Sequence, residues 1–179
     1  QVQKPVFSQS KNWVTSAGTR YSSANRGLDA SFKSSYTDNK ALGVVAGATY
    51  RKGENYRAGG GGVIDHSGFN KVNYSMSASW LPGKSGQLNL SYIGDHAWDV
   101  GYPALAMDVG FAHADIVGLT YDHWMNSGFF GQITAKAYFN GVNHTMDDSQ
   151  RNPEMHMDMP GQTRTFGAFL KGAYSVKNQ

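Results

Sequence analysis

The side chains richest in chemistry are gathered between His144 and Met159, in the run His-Thr-Met-Asp-Asp-Ser-Gln-Arg-Asn-Pro-Glu-Met-His-Met-Asp-Met. Four of the seven methionines and two of the six histidines fall there. Thioether and imidazole donors suit soft ions, Cu(I) above all, whereas hard cations take carboxylates and carbonyls. Met155, Met157 and Met159 recur at every second position, so in an extended segment they share a side, with His156 available from the other side or from a bend. His144 and Met146 complete a candidate donor set for copper. The competing reading is packing, because methionine fills irregular gaps and the run could rest against a partner or an inner wall. Asp147, Asp148, Glu154 and Asp158 add negative charge that draws cations, unless they are merely solvated.

His96, Asp99, Met107, Asp108 and His113 lie on a preceding segment that reads as a long loop and could line the same vestibule. Other chemistries find little support. The run Arg57-Ala-Gly-Gly-Gly-Gly62 lacks the Lys-Ser/Thr of a phosphate loop and the strand-to-helix setting that such a loop needs. No Gly-x-Ser-x-Gly elbow is present, and no His and carboxylate pair is tied to a nucleophile, so the chain is expected not to be an enzyme. There are no cysteines for disulfides or thiolate metal sites. A net charge of +3 is spread singly along the chain, which argues against a nucleic-acid partner. Asn143-His-Thr145 has the N-glycosylation pattern, which bears on function only in a protein that passes through a glycosylating secretory pathway.

The elements that must position these residues are strands. Glycine is abundant at 22 and aromatic residues make up 13%, a composition that favours pleated sheet over helical bundles. Eight segments alternate apolar or aromatic with polar residues: 13–21, 27–36, 42–51, 69–81, 87–95, 115–124, 129–141 and 165–176. In the fourth, Val72, Tyr74, Met76, Ala78 and Trp80 point one way and Lys71, Asn73, Ser75, Ser77 and Ser79 the other. Such alternation explains how a mean hydropathy of −0.48 is compatible with a membrane, since wetted and lipid-facing residues cancel in the average.

Connections alternate in length. Tight turns are expected at 38–41, 82–86 and 125–128, with a short loop at 22–26, and long loops at 52–68, 96–114 and 142–164. Short turns at one rim and long loops at the other are the signature of an all-β, antiparallel transmembrane barrel. Tyr36, Trp80, Trp124, Phe129 and Phe130 beside the short turns are expected to form an interfacial girdle. A soluble sandwich or lipocalin-like barrel would bury the same apolar face in a core. A complete eight-stranded barrel is the other competitor, and it would pair the first strand with the last.

Tyr21-Ser-Ser-Ala-Asn25, Tyr50-Arg-Lys-Gly-Glu-Asn-Tyr-Arg-Ala-Gly59, Ser67-Gly-Phe69, Ser91-Tyr-Ile-Gly-Asp95 and Asp99-Val-Gly-Tyr-Pro-Ala-Leu-Ala-Met-Asp108 follow one another in an order that resembles the early barrel of TonB-dependent receptors. The resemblance covers most of the chain and implies a 22-stranded barrel around a plug, in the Gram-negative outer membrane, importing a scarce nutrient with energy from TonB. It also leans toward copper, since copper-related receptors of this family carry Met and His ligands in external or lumen-facing positions. The expected partners are outer-membrane lipid, the remainder of the barrel and its plug, TonB indirectly, and a surface lipoprotein. Copper is expected as cargo, with no resident cofactor. The chain has no recognisable plug or TonB box, no signal peptide at Gln1, and ends in Ser175-Val-Lys-Asn-Gln179 rather than on an aromatic residue. Residues 1–179 are therefore expected to be a barrel segment of something longer.

Overall fold

The computed structural model describes residues 5, 7, 11–38, 40–125, 131–151 and 156–174. Eight strands run β1 Asn12–Ser22, β2 Gly27–Thr37, β3 Leu42–Gly53, β4 Phe69–Trp80, β5 Gly86–Val100, β6 Asp108–Trp124, β7 Gln132–Asp147 and β8 Asp158–Ala173. They form one antiparallel sheet in which every strand neighbours the next in sequence. The first four strands match the expectation closely. In the second half the strands extend further into the expected loops, which shrinks two connections to 101–107 and 148–157.

Opposed residues in an antiparallel ladder share a face, so the register sorts the side chains into two sets. Trp13, Ala17 and Tyr21 lie opposite Tyr36, Phe32 and Leu28. That face continues through Val44, Ala46, Ala48 and Tyr50, then Ala78, Met76, Tyr74 and Val72. It runs on through Leu88, Leu90 and Tyr92, through Tyr121, Leu119 and Val117, and through Ala135, Ala137, Phe139, Leu170, Ala168 and Phe166.

The opposite face is polar and cross-linked. Ser79 donates to Asn89 at 2.5 Å, Lys71 pairs with Asp95 at 2.8 Å, and Thr134 donates to Asp122 at 2.6 Å. Arg51 donates to Asn73 at 2.7 Å, and Asn73 donates to Asp95 at 2.7 Å. Pro5 is buried on this side, lying over Gly43 beside Thr37.

Among the described residues no second layer covers the apolar face. Among the described residues the buried apolar side chains are Val45, Ala97, Met107 and Pro5, while Trp13, Leu170 and Phe166 are 73%, 75% and 85% exposed. The largest fully buried side chains are Ser77 and Ser79, so the packed interior of a sandwich is absent from the described residues. An apolar surface of this extent requires a partner or a bilayer against it. Among the described residues β1 contacts β2 alone and β8 contacts β7 alone. The sheet is therefore open, and the pairing of first and last strands that a complete eight-stranded barrel requires does not occur.

The tight turns follow side-chain chemistry. The Asp38 carboxylate accepts from the amides of Leu42 at 2.7 Å, Ala41 at 2.7 Å and Lys40 at 3.0 Å. These bonds, that from Leu42 foremost, hold its carboxyl below the ordinary value. At the other rim Ser23–Arg26 turns with Arg26 at φ 45°, and the 101–107 connection is entered past Asp99 at φ 50°.

Tyr36 and Trp80 stand on the apolar face beside the short turns, as the girdle requires, and Trp13 joins them edge to face on Tyr36 at 6.3 Å. Trp124 departs from the expectation. It lies opposite Gln132 in the polar set, and Tyr121 holds the girdle position on β6 instead. Phe129 and Phe130 lie outside the described residues.

Candidate functional site

The longer second half changes where the candidate donors sit. His144 and Met146 belong to β7 and Met159 to β8, on strands rather than in a loop. Met146 lies directly opposite Met159, and His144 directly opposite Gly161. Since His144 and Met146 are two residues apart on one strand, the β7–β8 ladder puts one imidazole and two thioethers on the same side. That side is the polar one, shared with Asn140, Val142 and Thr163. Gly161 makes room for the imidazole: a Cβ there would collide with the His144 ring, which rests over the glycine backbone. Met159 is 60% exposed.

Met157 and His156 lie in the connection between these strands. Asp148, 2% exposed, accepts the Met157 amide at 3.0 Å and contacts His156 Nδ1 at 3.2 Å. With Nδ1 turned to a carboxylate, Nε2 is left for a metal, the orientation that metal-binding histidines commonly show. Met155 and Glu154 lie outside the described residues. Asp147 and Asp158 face each other across the ladder beside Met146 and Met159. Two carboxylates directly opposed create a potential that favours a cation at this rim. Among the described residues no three His, Asp or Glu side chains converge on a point, so a metal held here must rely on the thioethers.

The expected vestibule of His96, Asp99, Met107, Asp108 and His113 does not form as one site. His96 and His113 are paired with each other on the apolar face, opposite in sense to His144. Their rings stack at 4.4 Å, and His96 reaches the Asp115 carboxylate at 3.4 Å and the Tyr74 hydroxyl at 3.2 Å. Tyr92 donates to the same carboxylate at 2.5 Å. These are polar groups satisfying one another where an apolar face ends. Asp99 contacts Gln150 at 3.3 Å, and Met107 is buried in its connection.

Asp108 has a different role. Its side chain, 4% exposed, accepts from Arg151 Nη2 at 2.7 Å and from Arg151 Nε at 3.0 Å. It also accepts the Tyr102 amide at 2.9 Å and contacts His66 Nδ1 at 3.1 Å. Arg151 further donates to the Tyr102 carbonyl at 2.9 Å. One carboxylate thus joins the 54–68, 101–107 and 148–157 connections. Sequence reasoning did not find Arg151 or His66, since nothing in the spacing links residues so far apart.

No family profile matches the chain, and no curated protein sequence matches it. Its fold is similar to that of a solved copper transporter, OprC, with a TM-score of 0.88 at 19% identity over 98% of this chain. The chain spans 27% of that structure's length. At this identity the likeness is one of fold: eight antiparallel strands that match a stretch of barrel wall.

Proposed function

We propose that this chain forms part of the wall of a TonB-dependent receptor in a Gram-negative outer membrane, and that its outer rim captures copper for energised import. The observation that carries the reading is the placement of His144, Met146 and Met159 on the polar side of the sheet, at the rim where the long connections lie. In a barrel of this kind the apolar face meets lipid and the polar face lines the lumen. A donor set on that face is met by an ion entering from outside. Soft donors there select Cu(I) over the hard cations abundant outside the cell.

Two further observations support the wider assignment. The open edges of β1 and β8 leave unpaired backbone groups, which a membrane-spanning sheet satisfies only by continuing into more strands. Pro5 lies over Gly43 on the polar face, which is the lumen side in this reading. The likeness in fold to part of a copper transporter agrees with this reading.

The test is copper accumulation by cells producing the full-length protein with Met146→Leu and Met159→Leu together. Loss of both thioethers, with volume largely kept, is expected to raise the copper concentration for half-maximal uptake by about tenfold or more. Uptake at wild-type affinity would remove the metal from the assignment and leave the barrel.

A further inference from the structure

We infer that Gly161 is a positioning residue for copper: its missing side chain lets the His144 ring lie across β8, where the imidazole joins Met146 and Met159 as the nitrogen donor. This deepens the copper reading above and rests on it. His144 faces Gly161 and, two residues on, Met146 faces Met159, so both pairs share one side of one ladder. The first of these pairs holds a single side chain. An added Cβ at Gly161 would stand 2.9 Å from Nε2 and 3.1 Å from Nδ1 of His144, and nearer still to Cε1. The ring therefore occupies the place that a side chain at 161 would fill. It is drawn toward β8, the strand that carries Met159. Glycine inside a strand weakens it, and marks a point where another group approaches the backbone closely.

Rings cover directly opposed glycines at two other places, Tyr74 over Gly94 and Tyr138 over Gly167. Two differences set His144 apart. Its neighbours toward the rim are the two thioethers, and its half-buried ring makes no hydrogen bond or ion pair among the described residues. The other histidines are engaged: His66 with Asp108, His96 with Asp115, His123 with Tyr121, His156 with Asp148, and His113 in a stack on His96. The His144 ring is left with a nitrogen to offer a ligand. Thioethers favour Cu(I), imidazole also suits zinc, iron and nickel, and copper is the ion that both donors serve. Gly161 touches no ion in this scheme and acts only through the ring it admits.

The experiment records copper K-edge X-ray absorption, and chelator competition for Cu(I), on the full-length protein purified in detergent. The wild type is expected to show imidazole nitrogen together with sulfur around copper. In Gly161→Ala the ring can turn about its side-chain bonds while β8 stays in place. That variant is expected to keep the sulfur, lose the imidazole signature and bind about tenfold more weakly, the size seen when groups that orient metal ligands are lost. Gly167→Ala, which displaces the Tyr138 ring on the same two strands, is expected to match the wild type in both readouts. Because the loss runs through the ring, Gly161→Ala is expected to add nothing to His144→Ala. Heat-modifiable migration on gels reports an intact barrel, so lost folding is separated from lost positioning. Should Gly161→Ala assemble only together with His144→Ala, the ring is what excludes the side chain, and the wild-type spectrum decides whether that ring is a donor. Failure of both to assemble overturns the inference. So does wild-type binding without imidazole, an unchanged spectrum in assembled Gly161→Ala, an equal loss in Gly167→Ala, or losses that add in the double variant; each leaves a thioether site standing. No copper binding by the wild-type protein overturns both readings.

Discussion

The two halves of the sheet share one alternation and differ in what they do with their length. β1 to β4 contain 11, 11, 12 and 12 residues, close to what a tilted strand needs to span a bilayer. β5 to β8 contain 15, 17, 16 and 16. The surplus lies at the rim of the long connections, where Asp108, His144, Met146 and Met159 are found. The first half is wall. The second half is wall with longer strands, and the candidate donors and the buried Asp108 lie in the added length.

The largest expected effect tests what the halves have in common. Met76→Arg in the first half and Leu119→Arg in the second both place a guanidinium on the apolar face. Each is expected to destabilise the membrane-embedded full-length protein by about 2–4 kcal/mol, read from denaturant unfolding in lipid vesicles. Thr120→Arg, one residue on and facing the polar side, is expected to cost far less. Equal costs at Leu119 and Thr120 would break the division into faces.

The smallest expected effect sharpens the contrast between anchors. Arg20 and Asp29 pair across β1 and β2 with the arginine side chain 79% exposed, so Asp29→Asn is expected to change stability by less than about 1 kcal/mol. The buried Asp108 has no such freedom, because removing its partner strands a desolvated carboxylate. A loss at Asp29 as large as that at Asp108, measured by the same unfolding, would show that burial does not distinguish the two pairs.

Much of the fold could be read from the residues alone. Val72 to Trp80 announces its faces, and the polar turns at 38–41 and 82–86 announce one rim; residues 126–128 of the third expected turn lie outside the described residues. The second half was read too short because its upper strands lose the signal: Asn143, Thr145, Gln162 and Arg164 fall where the apolar face should continue. Beyond the apolar band both sides of a strand are wet, so alternation stops while hydrogen-bonded pairing continues. The same loss explains why Met146 and Met159 read as loop residues, and why their opposition could not be foreseen. Register is a long-range property, and the His144 ring over Gly161 follows from it. Position beside a turn points Trp124 to the girdle, but only parity along β6 decides its face.

The most direct test of the account places single cysteines at residues 72 to 79 of β4; residues 1–179 contain no cysteine of their own, and any elsewhere in the full-length protein is first replaced by serine. Spin labels at each position, in the full-length protein in lipid vesicles, are read for collision with oxygen and with a water-soluble nickel chelate. The account predicts oxygen-rich signals at Val72, Tyr74, Met76 and Ala78, and chelate-rich signals at Asn73, Ser75, Ser77 and Ser79. A flat profile along the strand, or the reverse alternation, would contradict it.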